Sequence, residues 1–241
     1  MERFIAQSLS IICLVLVSLF ARGESGRLDY DLDNNGLIEI NDLADLNEMR
    51  NSLDGTSLYG SSEGCPESGC VGFELTSDLD FDTNGDGRIN EEDDFWNDGE
   101  GWVPVGSNMT GNQFAAVFNG NGHLIRNLFI HRPRLDHQAL FGATDSAVIT
   151  GVGLTGPLMQ VTGDTYSGGL VGSARNSEIT GVFGTGKVRS YDAINVLAGG
   201  LAGELDNTQV TLAFTAGEVT VDDWYTGGMV SVSRNSTISL S

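Results

Sequence analysis

Proline, lysine, histidine and cysteine are all scarce in this chain of 241 residues, which has four prolines, three histidines, three cysteines and a single lysine, Lys187. Lysine and arginine together number 12 against 33 acidic residues, a formal net charge of −21. A chain so short of cations repels nucleic acid and anionic membranes and suits the loading of cations instead. His123, His131 and His137 form no His-Glu-x-x-His pattern, so no zinc-protease helix is present. There is no phosphate loop, and residues 151–155 read as a glycine-rich turn. Sugar cleavage needs two carboxylates about 5–10 Å apart across a groove. The close pairs Glu204/Asp206 and Asp222/Asp223 read as solvated turns instead, and these residues are expected to hold no enzyme.

Long apolar runs are also missing, apart from residues 9–20. With Met1, Glu2 and Arg3 before it and Ala21-Arg22-Gly23 after it, that run reads as an export signal over residues 1–23. It is too short for a bilayer span, which takes about 20 residues, so no transmembrane anchor is expected. Export implies an oxidising compartment. There the segment Cys65-Pro66-Glu67-Ser68-Gly69-Cys70 reads as a small disulfide loop joining Cys65 to Cys70. The expected location is secreted, extracellular or on a bacterial cell surface.

What the chain has in quantity is aspartate, asparagine and glycine, and twice they fall into one pattern. Residues 31–42 (DLDNNGLIEIND) and 82–93 (DTNGDGRINEED) each place oxygen side chains at loop positions 1, 3, 5 and 12, glycine at 6 and isoleucine at 8. Ca²⁺ takes six to eight oxygens at about 2.3–2.6 Å, and this spacing wraps them around one point. The expected ligands are Asp31, Asp33, Asn35, the Leu37 carbonyl and Asp42 in the first loop. In the second they are Asp82, Asn84, Asp86, the Arg88 carbonyl and Asp93. Two calcium ions are the expected cofactors. Because both loops end in aspartate, they resemble the calcium loops of dockerin modules. Dockerins set their loops nearly back to back, whereas here the loops lie half a hundred residues apart, which speaks against cohesin binding.

Along the rest of the chain 33 glycines separate short apolar patches that recur. Leu140-Phe141 returns as Leu170-Val171, Leu201-Ala202 and Met229-Val230, and Ile149 returns as Ile179, Val210 and Ile238. Gly156, Gly186 and Gly217 lead to Leu158, Val188 and Val219, and Phe183 matches Phe214. Units of about 30 residues cannot bury an apolar face alone and do so by stacking on copies of themselves. The predicted fold is all-β, a right-handed parallel β-helix or solenoid. A helix is expected over residues 41–53, with Leu43, Leu46, Met49 and Leu53 on one face, and a helical turn over residues 91–96. Trp96, Trp102 and Trp224 are read as core or capping aromatics before sugar-stacking ones.

The motif Gly168-Gly169-Leu170-Val171-Gly172, with Ile179 and Gly184-Thr185-Gly186-Lys187-Val188 after it, resembles the GLUG motif of bacterial surface proteins. Gly199-Gly200-Leu201-Ala202-Gly203 with Gly217-Glu218-Val219 resembles it again. That resemblance implies a secreted or surface-displayed solenoid, often part of a large adhesin-like or enzyme-bearing polypeptide. The expected organisation is a signal at 1–23, a calcium loop, capping helix and cysteine loop at 24–70, first coils with an inserted calcium loop at 71–138, and GLUG-like repeats at 139–241. The last repeat is incomplete, which predicts further repeats in a longer parent chain. A calcium-binding solenoid with a structural or adhesive role follows, with a surface glycan or protein as its expected ligand. The alternatives are a non-catalytic part of a larger glycan- or protein-degrading enzyme and a dockerin-like partner-binding module.

Overall fold

A computed structural model describes residues 27–108, 111–191, 196–222 and 225–239. Residues 1–23, expected to be an export signal, and Trp224 lie outside these residues. Strands here are only two to five residues long, too short to hold an apolar face alone. The chain coils so that each named strand pairs in parallel with its counterpart one turn later. The longest sheet has seven strands, beginning with β1 (Leu37–Ile40) and β2 (Gly72–Leu75) and ending with Thr237–Ser239. Seven strands in one sheet make six turns of a parallel β-solenoid. Four further sheets of three to five strands form its other faces.

In-register pairing turns sequence repeats into columns. Ile38, Phe73, Phe118, Ile149, Ile179, Val210 and Ile238 stand one above another along the long sheet. All but the last, at the end of the column, are fully buried. Phe183 lies over Phe214 with ring centroids 5.0 Å apart and planes 6° from parallel. The glycines of the repeats follow from the same closeness: a Cβ on Gly172 would sit 2.5 Å from the Gly142 carbonyl oxygen. In the adjoining corner Asn176, Asn207 and Asn235 have φ of 47–49°, a left-handed region that asparagine tolerates. Their amides form a ladder, Asn207 Nδ2 donating to Asn176 Oδ1 at 2.7 Å and Asn176 Nδ2 to Asp145 Oδ1 at 2.9 Å.

Three local expectations are corrected. Val161, not Leu158, occupies the column of Val188 and Val219. The turn that contains Pro157 closes between Met159 N and Gly156 O, and proline cannot donate to a ladder, so the strand starts later, at Gln160–Gly163. Residues 91–96 form turns, and a short 3₁₀ segment follows at Asn97–Gly99. The N-terminal helix is shorter than expected: α1 is Leu43–Glu48, continued by a 3₁₀ turn at Met49–Asn51. Leu43, Leu46 and Met49 are buried in the same apolar cluster as β1 and β2, so the helix covers the head of the coil.

Replacing Ile179, at the middle of its column, by alanine is expected to cost about 2–5 kcal/mol by leaving a cavity between two rungs. Urea denaturation followed by circular dichroism measures this.

Candidate metal centre

The two acidic loops adopt the same local conformation from their own side chains. In the first, Asp31 Oδ1 accepts from Asn35 N at 3.0 Å and Oδ2 from Gly36 N at 2.8 Å. Asp33 Oδ1 accepts from Asn35 N, and Asn35 Oδ1 from Leu37 N. In the second, Asp82 Oδ1 accepts from Asp86 N at 3.1 Å and Oδ2 from Gly87 N at 3.0 Å. Asn84 Oδ1 accepts from Asp86 N, and Asp86 Oδ1 from Arg88 N. Loop position 4 has positive φ in both (Asn34 58°, Gly85 71°), and so does position 6 (Gly36 85°, Gly87 80°). Asx turns organised around the first aspartate therefore shape both loops.

After position 6 the loops diverge. The first runs straight into β1, so its outward side chains alternate: Ile38 and Ile40 enter the core, and Leu37 and Glu39 face the loop. This strand geometry brings Glu39, at position 9, against Asp31 and Asp33, with one carboxylate oxygen from each within 4.8 Å of the others. Two ligands on opposite sides of one calcium ion stand about 5 Å apart, so this group can hold a metal ion. Asp42, at position 12, is instead the N-cap of α1, where its Oδ1 accepts from Asp45 N at 2.9 Å.

Burial makes this group unusual. Asp31 is 0% exposed, Glu39 4% and the neighbouring Glu74 6%. Glu39 Oε1 accepts from Leu32 N at 2.6 Å, whereas Glu39 Oε2 is buried with no hydrogen-bond partner. Burial, reinforced by Asp31 and Glu74 nearby, pushes the Glu39 carboxyl above the ordinary range. Arg27 reaches the Glu39 carbonyl and the Asp45 carboxylate, both within 3 Å, and so spends its charge away from the Glu39 side chain. Cys65 and Cys70 are joined by a disulfide, and Cys70 Sγ lies 3.8 Å from Asp31 Oδ2. A disulfide sulfur carries no hydrogen, so this is a packing contact that closes the site on one side.

The second loop stands further into solvent. Asn84, Asp86 and Arg88 are exposed, and Ile89 packs half-buried on the core. Asp93 is buried, but its oxygens accept from Thr83 N and Asn90 N at 2.7 and 2.9 Å. Among the described residues, Asp82, Asp86 and Asp93 do not converge as the first group does. Around this loop Trp102 is a core residue whose indole donates to the Leu140 carbonyl at 3.2 Å, and Trp96 stacks on Phe129.

Comparison with known proteins adds a sequence likeness and a looser structural one. No protein-family model matches the chain. Halomucin of Haloquadratum walsbyi is 31% identical over 161 residues, which is 66% of this chain. The chain spans only 2% of halomucin's own length. A solved structure of a candidate immunoglobulin A1 protease from Bacteroides ovatus aligns with a TM-score of 0.42 at 17% identity. That alignment covers 85% of this chain and 64% of the other. Among the described residues no helix is long and apolar enough to cross a membrane.

Sequence spacing had not singled out Glu39. Its signal is an acid in the middle of an otherwise apolar strand, Leu37-Ile38-Glu39-Ile40, echoed one rung later by Phe73-Glu74-Leu75. In chelator, Glu39→Gln is expected to stabilise the protein by about 1–3 kcal/mol, the usual cost of a buried unsatisfied polar group. Melting of the variant and parent in EDTA checks the sign, since an ordinary core carboxylate would give the opposite one.

Proposed function

We propose that this protein is a calcium-binding β-solenoid, secreted or displayed at the cell surface, with a structural or adhesive role and no catalytic one. The observation that carries this reading is the unpartnered buried oxygen of Glu39, whose carboxylate groups with those of Asp31 and Asp33. A buried carboxylate is retained at such cost only when something compensates its charge. The donor set consists of hard oxygens, and both nearby cysteines are locked in a disulfide. That chemistry favours calcium over zinc or copper. Bound there, calcium would supply positive charge and coordination to the carboxylates that the chain leaves unneutralised.

Within the first loop, Asp31, Asp33, Asn35 and the Leu37 carbonyl supply the loop oxygens, and Glu39 supplies the strand oxygen. The second loop has the same turn geometry and the same ligand types through Arg88, which supports a second, more exposed site at Asp82, Asn84, Asp86, the Arg88 carbonyl and Asp93. A repetitive rigid coil with its charged loops gathered toward one end suits display of a surface more than turnover of a substrate. The halomucin likeness, confined to a small share of that long protein, is compatible with a module in an extended extracellular polypeptide.

Calcium at a hundredfold excess over its dissociation constant is expected to stabilise the fold by about 2.7 kcal/mol per site. Chelation should therefore lower the melting temperature, and the double variant Asp31→Ala, Asp82→Ala should melt alike with and without calcium. An identical melting curve for the parent protein in calcium and in EGTA would contradict the reading.

A further inference from the structure

Glu39 and Glu74 are partners in register on adjacent strands, β1 and β2. Both are buried, and neither pairs with a lysine, arginine or histidine among the described residues. Asp31 and Asp33 lie against the same spot. Three carboxylates thus converge at the seam where the first coil joins the second, and Glu74 stands beside them on the facing strand. What bridges them is an amide: Asn35 Nδ2 donates to Asp33 Oδ2 and to Glu74 Oε1, both at 3.0 Å. On its far side Glu74 Oε2 accepts from Asn121 Nδ2 at 2.9 Å, which ties it to the third coil. Glu39 Oε2 has no such donor.

Backbone bonds cross the same seam. Val71 N donates to the Gly36 carbonyl at 2.9 Å, and Thr76 N to the Ile40 carbonyl at 3.2 Å. The first coil carries α1 two residues beyond β1, so whatever holds β1 on β2 also holds the helix over the end of the solenoid. Along the same sheet the later joins set no acid over acid: Glu74 meets Asn119, and Glu178 lies between Val148 and Gln209. The join between β1 and β2 is where acid stands over acid.

From this juxtaposition we infer that the first site is a cation-operated latch: a divalent ion held by Asp31, Asp33 and Glu39 docks the first coil and its helix on the solenoid, and Glu74 is the charge that undocks them when the ion leaves. This rests on the metal reading above and adds to it a mechanical consequence at one named seam. Without the ion, repulsion across Glu39 and Glu74 opens the pairing of β1 with β2, and the edge of β2 becomes an unpaired strand edge. The remaining rungs keep their columns and stay closed.

Hydrogen exchange of the full chain, followed by mass spectrometry in calcium and in EGTA, tests this beside calorimetric titration with calcium. The latch predicts that calcium slows exchange of residues 37–40 and 71–76 by about tenfold or more, while strands 148–150 and 178–180 change little, as local opening below global unfolding requires. Glu74→Gln, which leaves Asp31, Asp33 and Glu39 intact, should keep calcium uptake and slow exchange of the seam in EGTA. The parent protein's exchange decides the matter even if that variant folds poorly. Calcium uptake with unchanged seam exchange, or with protection rising evenly over all rungs, would overturn the latch and leave the metal site standing. No uptake at all would overturn both.

Discussion

A parallel solenoid obliges each residue to lie directly over its counterpart one turn earlier, about 4.8 Å away. Everything else in this structure depends on that constraint. Where the counterparts are apolar, it builds a continuous core, as in the column from Ile38 to Val210. Where they are asparagines at left-handed corners, it builds an amide ladder. Where they are glycines, it lets one backbone rest on the next. At the head of the coil the same rule sets Glu39 over Glu74, where it is unfavourable. Two charges about 5 Å apart at an effective dielectric of 20 repel by about 3 kcal/mol. At the first join of the long sheet, this charge stacking therefore opposes the apolar stacking of Ile38 on Phe73 and Ile40 on Leu75.

The surroundings of that join fit a site that gathers negative charge. The Asx turns of the first loop preform its backbone, the disulfide packs against Asp31, and Arg27 braces the end of β1 to α1 without neutralising Glu39. Asp45, the partner of Arg27, is itself held above the usual carboxylate range, chiefly by burial. The arrangement is anionic, with Asp31 and Glu39 buried and Asp33 exposed. With its donors all oxygen, it suits a hard cation, and Glu39 lies on the strand that precedes α1.

Much of the fold was legible because repeats declare themselves. The steps between Ile149, Ile179, Val210 and Ile238 are the pairings of the long sheet, and Phe183 does stack on Phe214. Leu158 departs from the repeat because Pro157 lengthens the turn after Gly156 and moves Val161 into the column, so matching glycines here do not carry matching strands. The helix expected over residues 41–53 is present but shorter, since its tail tightens to a 3₁₀ turn. At the metal centre the aspartates of the loop could be read from spacing. Glu39 was not, because position 9 of the twelve-residue pattern often ligates through water and spacing gives it no direct contact. Here a strand follows, which turns position 9 inward to the group and gives position 12 to a helix cap.

Diffraction from crystals grown with a calcium-like lanthanide would test the central claim most directly, since anomalous scattering locates the ion without prior assumption. The account predicts a peak bonded to oxygens of Asp31, Asp33 and Glu39 at about 2.3–2.6 Å, the range for calcium-type coordination. Absence of any peak there, with Glu39 Oε2 still lacking a partner, would contradict it.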